Sequence, residues 1–117
     1  MKEKDAWDVR LTDAALSDYR EILLWTHDYF GERQARIYSE VIDDALTALM
    51  DGPSCIGVKA RDDVSPGLFS LHVARNKHKG RHIIVFRVEH QQNVIHVLRI
   101  LHDSMDIERH LPPERAG

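Results

Sequence analysis

The chain has one cysteine, Cys55, among its 117 residues. No internal disulfide can form, so a reducing cytoplasm is the expected compartment. Nothing beside Cys55 marks it as an activated thiol. No apolar run reaches the roughly 20 residues that a membrane-spanning helix needs. The opening MKEKDAWD is too polar for a signal peptide. Internal repeats and low-complexity tracts are lacking too. With 43% hydrophobic and 30% charged residues, the composition is that of a soluble globular protein. The length suits a single domain, 1–117, with one core.

The net charge of −3 hides an asymmetry. Met1 to Ser70 carries 8 Lys/Arg against 14 Asp/Glu, whereas Leu71 to Gly117 carries 8 against 5. Between Leu71 and His102 the cations Arg75, Lys77, Lys79, Arg81, Arg87 and Arg99 face Glu89 alone. A locally acidic partner suits such a basic segment. The overall negative charge argues against specific direct binding of nucleic acid.

Periodicity predicts the elements. Trp7 to Thr12 alternates as a half-buried strand. Thr12 is a helix N-cap, with Asp13 at the positive end of the helix that follows. That helix is expected over Asp13 to Phe30, with Ala15, Leu16, Tyr19, Ile22, Leu23, Thr26, Tyr29 and Phe30 on its buried face. Trp25 falls off that face, which makes it the partner-facing aromatic. Gly31 stops the helix. A second helix is expected over Glu32 to Met50, with Ala35, Tyr38, Val41, Ile42, Ala45, Leu46, Leu49 and Met50 on its face, and the connection is too short for anything but a helical hairpin or a sharp bend.

Asp51 to Gly67, with Gly52, Pro53, Gly57, Pro66 and Gly67, reads as a loop. Leu68 to Arg75, Ile83 to Val88 and Val94 to Leu101 read as strands of an antiparallel meander. A basic turn, Asn76 to Gly80, joins the first two. Ser104 to Leu111 suits a short terminal helix, ended by Pro112 and Pro113. The expected class is therefore α+β: an N-terminal strand, a two-helix hairpin, a three-stranded antiparallel meander and a short C-terminal helix. The last two strands are apolar at nearly every position, so both faces seek burial. Two helices cover one face. The other is closed by the terminal helix or left for a partner, and an open apolar flank edged by arginine is the expectation. Arginine interrupts both strands, at Arg87 and Arg99. Each pairs either with a helix carboxylate or with acidic residues of a partner.

This order of elements, and the text RHIIVFRVEHQQNVIHVLRILHDSMDIERHL, resembles the RelE/ParE superfamily of bacterial toxins, on its ParE side. The resemblance runs from the opening strand through LTDAALSDYREILLW to ERHL. Its most specific pieces are Arg87, the segment VLRILH (Val97 to His102) and MDIERHL (Met105 to Leu111). It implies the toxin of a type II toxin–antitoxin module, neutralised by a ParD-like antitoxin in a hetero-oligomer. The implied target is DNA gyrase, with no catalytic residues, no cofactor and no membrane association. Antitoxin contacts are expected at Trp25, Arg75, Arg81, Arg87, Arg99 and His102. Gyrase contacts are expected on Arg75 to Arg81 and Asp103 to Leu111.

The resemblance leaves two alternatives. One is a RelE-like ribosome-dependent mRNA endonuclease, for which Arg75, His82, Arg99 and His102 are the candidate catalytic groups. The positions where such ribonucleases carry basic residues fall here on His82 and Asp103, and their late Tyr falls near Arg109. Asp103 would repel a phosphate. The other alternative is a weakly toxic homologue that retains antitoxin binding. The histidines at 72, 78, 82, 90, 96, 102 and 110 form no compact ligand spacing, so no metal is expected.

Overall fold

The computed structural model describes residues 6–75 and 77–111. Asn76 and the pair Pro112 and Pro113 lie outside the described residues, so the turn's first residue and the proline stop are not addressed. The elements are β1 (Asp8–Leu11), α1 (Asp13–Phe30), α2 (Glu32–Leu49), β2 (Lys59–Ala60), β3 (Leu68–His72), β4 (His82–Glu89), β5 (Val94–His102) and α3 (Ile107–His110). They form one five-stranded sheet in the order β1-β5-β4-β3-β2. The meander β3-β4-β5 is antiparallel, and β1 joins β5 in parallel. The expected loop at 51–67 holds the edge strand β2, which pairs with Phe69 and Ser70 of β3. Two residues are too few for an alternation to register in the sequence.

Local chemistry sets the first corner. The Thr12 N–H bonds Val97 O and its hydroxyl donates to Leu98 O, while Oγ1 accepts the Ala15 N–H at 3.1 Å. One residue thus ends a strand and caps a helix. Gly31 joins α1 to α2 at φ 93°, with its N–H on His27 O. A Cβ is strained in that conformation.

The helices cover one face of the sheet. Val41, Ile42, Ala45 and Leu49 of α2 and Ala15 of α1 pack with Leu71, Ile84, Phe86, Ile95 and Val97. The second half of α1 departs from the expected buried face. Leu24, Trp25, Tyr29 and Phe30 are all more than half exposed, and the buried positions of α1 are confined to Ala15 and Asp18, in its first two turns.

The expected open flank is not on the sheet. Leu68, Ile83, Val85 and Leu101 on the far face are buried, with Ile107 of α3 among them and Val64, Leu98 and Leu111 packed over them. A short terminal helix and a loop residue suffice because the far-face cluster is small. A bulge in β5 helps. Val85 pairs with Arg99 and Phe86 with Val97, which leaves Leu98 as the extra residue, and Leu98 adds to the far-face cluster.

Both strand arginines are held by the chain itself. Arg99 makes a bidentate pair with Asp18 of α1, at 2.7 and 2.8 Å, and its Nη1 holds His110 O. The helix carboxylate is thus the partner of Arg99. Asp18 also accepts the Ile100 N–H at 2.9 Å, just past the point where β1 ends opposite Val97. Arg87 bonds Ser65 Oγ and Pro66 O, which fastens the loop carrying Val64 to the sheet.

Candidate functional site

A groove of about 1150 Å³ lies between the helical hairpin and the β4/β5 end of the sheet. Its apolar wall comes from α1 and α2, with Ile22, Trp25, Phe30, Ile37 and Val41, and Met105 adds to it. Trp25 packs on Tyr29 at 4.8 Å and on Phe30 at 5.7 Å between ring centres. These rings support one another rather than the core. The opposite wall is basic, with Lys77, Lys79 and Arg81. His78, His82, His102 and His110 also line the groove.

Several charged groups in and beside the groove are already engaged. Asp103 accepts His72 Nε2 at 3.0 Å and Arg81 Nε at 3.2 Å. The His72 bond, then the Arg81 contacts, hold its carboxyl down to about 2. It is therefore an anion at neutral pH. The Arg99 guanidinium is raised above its ordinary range, chiefly by its hydrogen bonds to Asp18. His78 Nε2 lies 2.7 Å from Asp44.

His82 is different. Its Nδ1 lies 2.6 Å from the Tyr38 hydroxyl, and its ring meets that of His102 edge-on at 5.4 Å. Burial, reinforced by neighbouring His102, pushes its pKa down to about 4. The imidazole is uncharged in neutral solution. Burial also raises the Tyr38 phenol. Tyr38 reaches this position across Gly80, where a Cβ would sit 2.9 Å from its hydroxyl and 2.7 Å from Val73 Cγ2.

Of the residues expected to contact the antitoxin, the groove brings together Trp25, Arg81, Arg99 and His102. Arg75 and Arg87 do not line it. Arg75 is close enough to Cys55 to offset part of the rise that burial gives that thiol. Its Nε is buried without a partner among the described residues. The ribonuclease set is divided in the same way, with His82, Arg99 and His102 in the groove and Arg75 outside it. Sequence periodicity missed Tyr38, Ile37 and Phe30 as groove residues. Ile37 carried a signal: like Trp25, it is apolar and off its helix's main face. Among the described residues no group of three or more His, Cys, Asp or Glu could hold a metal ion. No helix among the described residues is long and apolar enough to cross a membrane.

The strand order, the helical hairpin and the short terminal helix define the RelE/ParE fold. A chain of the chromosomal ParDE system of P. aeruginosa superposes with TM-score 0.64 at 20% identity, covering 85% of this chain and 98% of that one. A chain of the RelBE2 toxin–antitoxin complex of Mycobacterium tuberculosis gives 0.58 at 21% identity, covering 83% and 98%. More particularly, the chain belongs to the ParE toxin family of type II toxin–antitoxin systems, parDE, whose family model matches residues 9–107. Toxin ParE1 of Mycobacterium tuberculosis H37Rv is 33% identical over 101 residues, 86% of this chain and 94% of that protein.

Proposed function

We propose that this ParE-family toxin is a non-catalytic poison of DNA gyrase, held inactive in the cytoplasm by a ParD-like antitoxin that docks in the groove. The observation that carries the docking is the groove itself, with an exposed aromatic wall facing a basic one. That combination suits an acidic, amphipathic segment. Exposed aromatics at its centre are the residue type that dominates binding energy. On this reading Trp25 and His102 contact the antitoxin, together with the N–H groups of Arg81 and Arg99 that Asp103, Asp18 and His110 leave unused. Arg75 and Arg87 act at its periphery.

Gyrase poisoning requires only that the toxin bind one state of the enzyme better than another. The gyrase contact is assigned to the basic segment Arg75 to Arg81, where Lys77, Lys79 and Arg81 are exposed, and to the terminal segment Asp103 to Leu111. A supercoiling assay with purified toxin and gyrase tests it. Trapped cleaved DNA, relieved by the antitoxin, is the expected result. Antitoxin binding without any effect on gyrase would leave the weakly toxic alternative.

One observation favours the ribonuclease reading: His82, Arg99 and His102 share the groove. Three count against it. His82 is uncharged at neutral pH and so is a poor proton donor to a leaving oxygen. Arg99 is spent on Asp18. Asp103 places a negative charge where a phosphate would lie. Cleavage of message in programmed ribosomes, abolished by His82→Ala, would overturn the gyrase reading.

A further inference from the structure

Three histidines at one end of the groove have their ring nitrogens assigned by their neighbours. The His72 Nδ1 accepts the Ala74 N–H at 3.0 Å, so its Nε2–H is the donor to Asp103. The His102 Nδ1 accepts the Ser104 N–H at 3.1 Å, with the Ser104 hydroxyl at 2.7 Å. Tyr38 assigns the third. Its oxygen already accepts the Arg81 N–H at 3.1 Å, which leaves its own proton for the His82 Nδ1. A ring whose Nδ1 accepts carries its proton on Nε2. The Nε2–H of His72 is used. No bond from the Nε2 of His82 or His102 is found among the described residues, and both rings line the groove.

The geometry points to a carboxylate subsite: the Nε2–H groups of His82 and His102 receive an Asp or Glu side chain of the docked protein, and Tyr38 is the positioning residue that fixes the His82 tautomer. This deepens the proposed docking and rests on it. A carboxylate suits the site better than a nucleic-acid phosphate. The wall opposite carries Ile22, Trp25, Phe30, Ile37 and Val41, side chains that a protein segment can cover, with the polar Glu21, Thr26 and Gln34 among them. The charged and titratable groups that face His82 are His102 and Asp103 beyond β5, His72 of β3, Asp18 of α1, Tyr38 of α2 and Arg81 beside it.

The test uses full-length toxin labelled with ¹⁵N-histidine and a synthetic peptide of the cognate antitoxin's C-terminal tail. Nitrogen shifts at pH 7.5 should show the Nε2–H form for His82 and His102. Each Asp and Glu of the peptide is then changed singly to its amide. One of these changes should weaken binding about tenfold on the native toxin and less than threefold on His82→Asn, which lacks a donor at the Nε2 position. His82→Gln, whose amide nitrogen reaches that position, should restore most of the difference. Tyr38→Phe should raise the His82 pKa and make peptide affinity depend on pH between 5 and 7. A Nδ1–H tautomer at His82, or equal losses on both toxins for every acidic residue, would overturn the subsite. So would an RNA oligonucleotide that competes for the same shifts when the peptide does not perturb them. A peptide that leaves Trp25 fluorescence unchanged would instead overturn the docking itself, so the two failures are distinguishable.

Discussion

The far face of the sheet and the helical wall of the groove each gather large apolar side chains and end in opposite states. On the far face, Leu68, Ile83, Val85 and Leu101 are sealed by Ile107, Val64, Leu98 and Leu111. In the groove, Trp25, Phe30 and Ile37 stay exposed. The difference lies in what fastens each cover. Arg99 grips the carbonyl of His110 and Arg87 grips the loop at Ser65 and Pro66, so arginine holds two apolar flaps shut. Nothing comparable among the described residues draws a cover over the end of the helical hairpin. An apolar surface is therefore closed or open according to its polar fastenings, as much as its own composition.

The largest test of this contrast is Arg99→Ala. It leaves Asp18 nearly buried and charged, and should cost about 3–5 kcal/mol in urea-denaturation stability, with the terminal segment losing protection in hydrogen exchange. Asp18→Asn should cost less, because the amide oxygen still accepts the Ile100 N–H. Next comes Ile107→Ala on the sealed face, expected to cost about 2–4 kcal/mol as a large-to-small core change. A loss under about 0.5 kcal/mol would mean that α3 does not close the sheet.

Acid should act through His82. Its pKa is about 6.5 unfolded and about 4 folded, so the unfolded chain binds more protons between those values. This contribution is fully present above pH 6.5 and is lost as pH falls to about 4. Asp103 adds a further loss only below its ordinary 3.8, toward about 2. Stability curves of His82→Gln should be flatter across the first window alone. Arg87→Ala should cost roughly 1–2 kcal/mol, through its hydrogen bonds to the loop. Trp25→Ala is the smallest on stability, within about 0.5 kcal/mol as an exposed change, yet it should weaken antitoxin binding by more than tenfold in calorimetry. Lys77→Ala should be near neutral in both.

Sequence periodicity located α1 over Asp13 to Phe30 and capped it at Thr12 because these are local choices, settled by spacing and by one hydroxyl. The meander was legible for the same reason. The closure of the far face stayed open between the terminal helix and a partner, because it rests on a four-residue helix and a loop residue, neither part of a segment long enough for a period to decide. The partner of Arg99 lies 81 positions away, and composition left its carboxylate open between α1 and another protein. The groove was half legible. Trp25 announced itself by falling on the wrong side of its helix, whereas Tyr38 sat on the expected inner face and gave no hint that its hydroxyl reaches His82.

The contact of α2 with the start of β4 depends on a missing methyl. At Gly80 an added Cβ would press on Val73 at 2.7 Å and on the Tyr38 hydroxyl at 2.9 Å. Alanine there would have to push the phenol aside, and with it the proton that settles which nitrogen of His82 is bare. A single carbon at the rim, on a glycine that lines the groove, would thus reset the chemistry inside it without exchanging any other lining residue.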